Sequence, residues 1–142
     1  MTLPKTLLVS LFVATFAFTS CEKNDDDPIT YDYHAHIVQP SASDKSIGET
    51  LFIEVEFESH TGENVEHINV RVFKADNSVE VYNEPGDPHV AGEVSSFDFT
   101  DQLVLSAANG ISHGDWILEA TVWGEDEGQE LETERVEFHI NP

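Results

Sequence analysis

Apolar and polar residues alternate along most of the chain beyond residue 30, which predicts a protein built of β-strands. The clearest case is the segment 50–58, where every second residue from Leu51 to Phe57 is apolar and most intervening positions are glutamate. Similar alternation occurs in the segments 31–38, 65–73, 79–82, 94–105, 115–123 and 133–140. Turn-forming residues separate these segments at intervals typical of a sandwich. Seven strands over about 110 residues therefore predict an all-β, antiparallel, two-sheet sandwich.

The phase of the alternation also predicts which side chains form the core. Because successive side chains of a strand point to opposite faces, Trp116 and Val122 belong to the inner face and Trp123 to the outer face. An outward Trp123 is either a platform for a sugar ring or a partner protein, or an aromatic covered by a neighbouring loop. The other inward positions are Tyr33, Ala35, Ile37, Ile68, Val70, Val72, Leu118, Ala120, Val136, Phe138 and Ile140.

The amino-terminal residues carry a separate signal. An apolar run from Leu7 to Phe18 follows Lys5 and ends close to Cys21, where the chain turns polar. The run is shorter than the about twenty apolar residues of a membrane-spanning helix and has the length of a signal peptide. The junction resembles bacterial lipoprotein signals, in which the cysteine is lipidated and becomes the first residue of the mature protein. The alternative is a secreted protein in which Cys21 has no such role.

This resemblance implies a division of the chain into three parts. Residues 1–20 are the lipoprotein signal peptide, residues 21–30 are the lipidated cysteine with an acidic tether, and residues 31–142 are a single folded domain. The acidic run from Asn24 to Asp27 looks like the export signal of Bacteroidetes-type lipoproteins that reach the outer face of the outer membrane. We therefore expect a lipid-anchored protein of the outer membrane at the cell surface, with the periplasmic face as the alternative location.

The charge of the chain limits its partners. Lysine and arginine together number 6 against 28 acidic residues, which gives a formal net charge of −22. Such a surface repels phosphate groups, so we expect no nucleic-acid partner and contact with the membrane only through the lipid anchor. Cys21 is the only cysteine, and its lipidation leaves the fold without a disulfide or a cysteine metal site.

Several stretches carry a resemblance to a known family. GDWILEATVWGEDEGQE and the following VEFHI resemble the last two strands of bacterial immunoglobulin-like (Ig-like) modules. With YDYHAHI, ESHTGENVEHINVRVF and LSAANGISHGDW, the chain also looks like a family of Bacteroidetes lipoproteins with a single Ig-like domain. The resemblance implies an Ig-like sandwich and a membrane-anchored location, but it carries no activity.

Histidines are the most concentrated candidates for chemistry. If the strands follow the Ig-like order, four of the 7 histidines gather at one end of the sandwich beside the acidic loop 125–127: His34, His36, His60 and His67. His34 and His36 lie two residues apart on one strand and therefore point the same way, with a spacing of about 7 Å. Imidazole together with carboxylate suits zinc or copper, so these four residues are the candidate metal ligands.

An arrangement without metal accounts for the same histidines. Antiparallel pairing of the first two strands places His34 opposite Glu58 and His36 opposite Glu56, as ordinary cross-strand pairs on the outer face. Two further predicted neighbours are His67 with Trp123 and Arg71 with Glu119. The sequence leaves both interpretations open.

Catalytic signatures are absent from the sequence. The chain has no Gly-x-Ser-x-Gly elbow, P-loop, dinucleotide fingerprint or His-Glu-x-x-His helix, and no Asp-x-Asp-x-Asp-Gly calcium loop. The acidic excess instead favours a solvated anionic surface. We therefore predict a non-enzymatic binding module for a divalent metal at the four histidines. The alternative is a structural or adhesive module that binds a protein or glycan, with Trp123 as a contact.

Overall fold

The computed structural model describes residues 32–125 and 131–142. Within these residues the chain forms eight β-strands: β1 Tyr33–Gln39, β2 Lys45–Ser46, β3 Thr50–Ser59, β4 His67–Lys74, β5 Glu80–Glu84, β6 Ser96–Val104, β7 Gly114–Trp123 and β8 Glu132–Asn141. The predicted signal peptide, the lipidated Cys21 and the tether lie outside the described residues. No helix in the two described ranges is long and apolar enough to cross a membrane.

The strands form two sheets that pack face to face. One sheet has the order β1-β3-β6, and the other has the order β2-β8-β7-β4-β5. Among the described strands, every pairing is antiparallel except that of β2 with β8. This is the arrangement of an Ig-like sandwich, so the predicted all-β, two-sheet fold is confirmed.

The core lies between the sheets and follows the predicted strand phase. In β3 every second side chain from Leu51 to Ser59 is buried. In β7 the side chain of Trp116 is fully buried, and its indole N–H donates to the carbonyl oxygen of Ser112 at 2.9 Å. The period of two arises because one face of each sheet contacts the other sheet while the second face meets solvent. The largest fully buried side chains are Trp116, Phe57 and Phe138.

Hydrogen bonds join the two sheets along both sides of the sandwich. On one side the backbone N–H of Ile37 in β1 donates to Oε2 of Glu134 in β8 at 2.8 Å. On the other side the hydroxyl of Tyr82 in β5 donates to Oδ2 of Asp101 in β6 at 2.6 Å. Burial raises the pKa of the Tyr82 hydroxyl, and the hydrogen bond to Asp101 raises this pKa further, so Tyr82 remains a neutral donor.

The alternation does not predict β2, because two residues are too few to show a period. This strand, Lys45–Ser46, pairs in parallel with the end of β8. Beyond it, the N–H of Ile47 donates to the carbonyl oxygen of Asn141 at 3.0 Å, and the N–H of Gly48 donates to that of Leu105 at 2.7 Å. Gly48 has a φ of 97°, a conformation that favours glycine. The segment therefore forms the edge strand of the five-stranded sheet, next to β8.

Candidate histidine sites

The histidines of β1 lie opposite glutamates of β3. The antiparallel register pairs His34 with Glu58 and His36 with Glu56. Both histidines are exposed, because they lie on the outer face of the three-stranded sheet. The cross-strand placement predicted from the alternation is therefore confirmed.

Acidic and histidine side chains gather around His60, the residue that follows β3. Its Nε2–H donates to Oε2 of Glu58 at 3.1 Å, and its Nδ1 lies 3.7 Å from Oδ2 of Asp32. The centres of the His34 and His60 rings are 6.0 Å apart. Nδ1 of His34 lies 4.0 Å from Oε1 of Glu132. We call Asp32, His34, Glu58, His60 and Glu132 the acid–histidine cluster.

The neighbouring carboxylates change the protonation of His60. The hydrogen bond to Glu58 raises the pKa of His60, desolvation opposes this by less, and the charge of Asp32 raises the pKa further. The imidazolium form is therefore favoured over a wider pH range than in a free histidine. Because a metal binds only the neutral imidazole, an ion at this cluster competes with that proton.

The structure does not bring the four predicted metal ligands to one point. His34 and His60 are neighbours, and His36 lies two residues further along the outer face of β1. His67 lies on β4 in the other sheet, whose outer face points away from that of β1. Of the acidic loop, only Glu125 lies within the described residues. Within residues 32–125 and 131–142, no set of three or more His, Cys, Asp or Glu side chains is arranged to hold a metal ion.

His67 belongs to a second group of aromatic rings at the start of β4. Its ring stacks on Trp123, with centres 5.3 Å apart and planes 6° apart, as expected from their cross-strand pairing. The His89 ring contacts His67 edge-on at 5.5 Å. Nδ1 of His67 lies 3.1 Å from the carbonyl oxygen of Gly124, which makes Nδ1 the protonated nitrogen. Trp123 is outward and half-buried, because His67 covers one face of its ring.

A third histidine pair, His113 with His139, was not among the residues that the sequence singled out. The register of β7 with β8 pairs Asp115 with His139, and the Nδ1–H of His139 donates to Oδ1 of Asp115 at 2.6 Å. Nε2 of His139 lies 3.2 Å from Nε2 of His113. Aligning the last two predicted strands in an antiparallel register is the sequence signal that could have placed His139 opposite Asp115. No sequence signal places His113, because it lies in the turn before β7.

Comparison with solved structures finds several chains similar to this one, whereas no family model and no curated protein matches it. The CARDB domain of the PF1109 protein from Pyrococcus furiosus, solved in complex with di-metal ions, is 16% identical with a TM-score of 0.46. The match covers 80% of this chain and 96% of that chain. CopC from Methylosinus trichosporium OB3b is 15% identical with a TM-score of 0.41, over 77% of this chain and 95% of that chain.

The sporulation control protein Spo0M from Bacillus subtilis is a further similar structure. It is 8% identical with a TM-score of 0.49, and the match covers 80% of this chain and 50% of that chain. At these identities and TM-scores, the similarities carry no argument about this protein.

Proposed function

We propose that this protein is a lipid-anchored, non-enzymatic binding module of the bacterial cell surface that takes a divalent metal ion at the acid–histidine cluster. Zinc and copper are the candidate ions, because imidazole and carboxylate ligands suit both. The observation that carries the proposal is the proximity of His34 and His60, whose ring centres lie 6.0 Å apart with a carboxylate beside each ring.

Solvent exposure allows the cluster to close around an ion. The side chains of His34 and His60 are 51% and 52% exposed, so both can change rotamer without disturbing the core. Such a change brings imidazole nitrogens to the about 2.0–2.1 Å that zinc requires. Glu58 lies beside His60 and Glu132 beside His34, so an oxygen ligand is available on either side of the pair.

The charge of the chain supports the same function, and the proposed anchor is compatible with it. A net charge of −22 raises the concentration of cations near the protein surface. A lipid anchor at Cys21, followed by the acidic tether of residues 21–30, would hold this domain at the membrane while leaving the cluster open to solvent.

Metal binding by the full-length protein, made without a histidine tag, tests the proposal. In equilibrium dialysis we expect the protein to bind Zn²⁺ or Cu²⁺ stoichiometrically. We expect the double variant His34→Ala with His60→Ala to bind one ion fewer per chain. His36→Ala is the matched control, because His36 is exposed on the same strand but lies outside the cluster. Binding that the double variant leaves unchanged would contradict a metal site here.

The alternative function is a structural or adhesive module that binds a protein or glycan without metal. The half-buried Trp123 favours this function, because its ring keeps part of its surface open to solvent while His67 holds its orientation. Retention on an immobilised glycan that is lost in Trp123→Ala and kept in the His34 and His60 double variant would support it. Metal binding that depends on the cluster, without glycan retention, would exclude it.

A further inference from the structure

Three polar side chains meet where β7 begins, and none of them belongs to the acid–histidine cluster. His113 directly precedes β7, Asp115 lies within it, and His139 lies opposite Asp115 on β8. The Nε2 atoms of His113 and His139 are 3.2 Å apart. Their ring centres are 5.0 Å apart, and their planes are inclined by 84°.

These distances suit a metal ion shared by the two rings. Two imidazoles that bind one tetrahedral ion at about 2.0–2.1 Å place their nitrogens ~3.3 Å apart and their ring centres ~5 Å apart. His113 and His139 match both values as they stand. The rings of His34 and His60, at 6.0 Å, must first move closer.

Asp115 already holds the other nitrogen of His139. The Nδ1–H of His139 donates to Oδ1 of Asp115 at 2.6 Å. A carboxylate on the far nitrogen of a histidine ligand selects the tautomer with a free Nε2 lone pair and makes that nitrogen a better ligand. Asp115 is therefore a positioning residue for His139.

We propose that His113 and His139 bind a divalent transition-metal ion, Cu²⁺ or Zn²⁺, through their Nε2 atoms, with Asp115 orienting His139. Imidazole suits both ions. The tetrahedral distances fit Zn²⁺ directly, whereas Cu²⁺ prefers a tetragonal geometry with adjacent nitrogens ~2.9 Å apart, so the two rings must move slightly closer to bind it. Cu²⁺ is nevertheless expected to bind more tightly, because it forms the more stable complexes with nitrogen ligands. The site shares no residue with the acid–histidine cluster, so it does not rest on the function proposed above.

Water or an external ligand completes the coordination of this ion. Within residues 32–125 and 131–142, no set of three or more His, Cys, Asp or Glu side chains is placed to hold a metal, so the proposed site takes two ligands from the described residues. A depression of about 310 Å³ lies beside His113, and its lining is Lys74, Ala75, Asp76, His113, Gly114 and Asp115. The ammonium of Lys74, which also lines this depression, donates a hydrogen bond to the hydroxyl oxygen Oγ of Ser112 at 3.1 Å.

A hydrogen bond between the two rings is the competing explanation. An N–H of one imidazole that donates to the lone pair of the other also accounts for the 3.2 Å separation. The two explanations differ in one respect. A hydrogen-bonded pair without affinity for metal predicts that neither His113 nor His139 affects metal binding.

Copper binding by the full-length protein, made without a histidine tag, separates these explanations. We use the double variant His34→Ala with His60→Ala as the background, so that the acid–histidine cluster cannot contribute. This protein should bind one Cu²⁺ per chain, with electron paramagnetic resonance showing coupling to two imidazole nitrogens. Adding His113→Ala or His139→Ala should abolish stoichiometric binding, and the spectrum with two coupled imidazole nitrogens should be lost with it. Adding Asp115→Asn should keep both nitrogens and weaken the affinity about 10- to 100-fold.

His36→Ala in the same background is the matched control, because its exposed imidazole lies on the other sheet. Thermal unfolding of each metal-free variant shows whether the fold is retained, and we expect little change because these side chains lie at the surface. Unchanged copper binding after loss of either histidine would overturn the proposal, and so would a background protein that binds no copper. Neither result bears on the acid–histidine cluster, which the background variant has already removed.

Discussion

Arg71 donates two hydrogen bonds to one carboxylate oxygen of Glu119, a side chain almost fully buried on the outer face of the five-stranded sheet. Arg135, on the other side of β7, donates from Nε to the second oxygen at 2.6 Å. Arg71 also donates to Oε2 of Glu80 at 3.1 Å and lies 5.1 Å from the centre of the Phe73 ring. Arg71 and Arg135 are the only arginines of the chain. A protein with a net charge of −22 therefore uses both of its arginines to pair one carboxylate.

Replacing Glu119 with glutamine tests how much its pairing with the two arginines contributes to the free energy of unfolding. We expect Glu119→Gln to lower the free energy of unfolding by about 1–3 kcal/mol, because a neutral amide cannot satisfy two guanidinium groups. Glu80→Gln is the matched control: the Glu80 side chain is 39% exposed, so its pair with Arg71 should contribute no more than about 1 kcal/mol. Urea unfolding measures both variants. Equal losses would show that burial of Glu119 adds nothing to the pair.

The same carboxylate predicts a dependence of stability on pH. Burial raises the pKa of Glu119, but the hydrogen bonds and the positive charges of Arg71 and Arg135 together outweigh burial, so its pKa lies below the ordinary value of 4.5. A carboxyl group with a lowered folded pKa stabilises the fold above its unfolded pKa and loses that contribution as the pH falls through its folded pKa. The stability difference between wild type and Glu119→Gln should therefore be complete near neutral pH and shrink below pH 4.5. Urea titrations at a series of pH values measure it, and a constant difference would contradict the lowered pKa.

The two tryptophans of β7 should differ in their importance for stability. Trp116 is fully buried, so Trp116→Ala is expected to cost about 3–5 kcal/mol. Trp123→Ala should cost clearly less, because its side chain is only partly buried, on the outer face, where its ring stacks on that of His67. Denaturant unfolding of the two variants compares them directly. The reverse order would mean that the strand faces are exchanged by a one-residue slip in register.

Glu58 should control the protonation of His60. Its hydrogen bond is the largest cause of the raised pKa of His60, so Glu58→Gln should lower that pKa toward the value of a free imidazole. Asp32→Asn should lower it by less, because the charge of Asp32 makes a smaller contribution. Titration of the His60 ring by nuclear magnetic resonance measures both changes. A pKa of His60 that does not respond to Glu58→Gln would show that this hydrogen bond is not formed in solution.

Cys21 should be the site of lipid attachment. We expect Cys21→Ser to abolish incorporation of labelled fatty acid and to leave the precursor uncleaved, because the chain has no other thiol. Metabolic labelling, with electrophoresis of the membrane fraction, measures both effects. Labelling at the wild-type level would contradict lipidation at this residue.

The sequence by itself determines the seven longer strands and the direction of their side chains, but not the two-residue β2. In the segment from Leu51 to Phe57, the period of two requires that the apolar residues share one face, whichever strand lies alongside. The same rule, applied to neighbouring strands, predicts His34 opposite Glu58 and His67 opposite Trp123, and both pairings are present. The alternation of side chains between the two faces is a local property of the strand backbone. A local pattern of apolar and polar residues is therefore enough to predict which side chains share a face.

Only the tertiary structure decides which of these outward side chains meet one another. Glu119 occupies an outward position like the exposed glutamates of β3, and Arg71 is its predicted neighbour, but the sequence does not predict that Arg135 on the other side also pairs with it and leaves it buried. Likewise, the approach of His60 to His34 and of His113 to His139 depends on the turns that lead out of β3 and into β7. Turn conformation and strand order are set by the packing of the whole sandwich, and no alternation within a single strand encodes them.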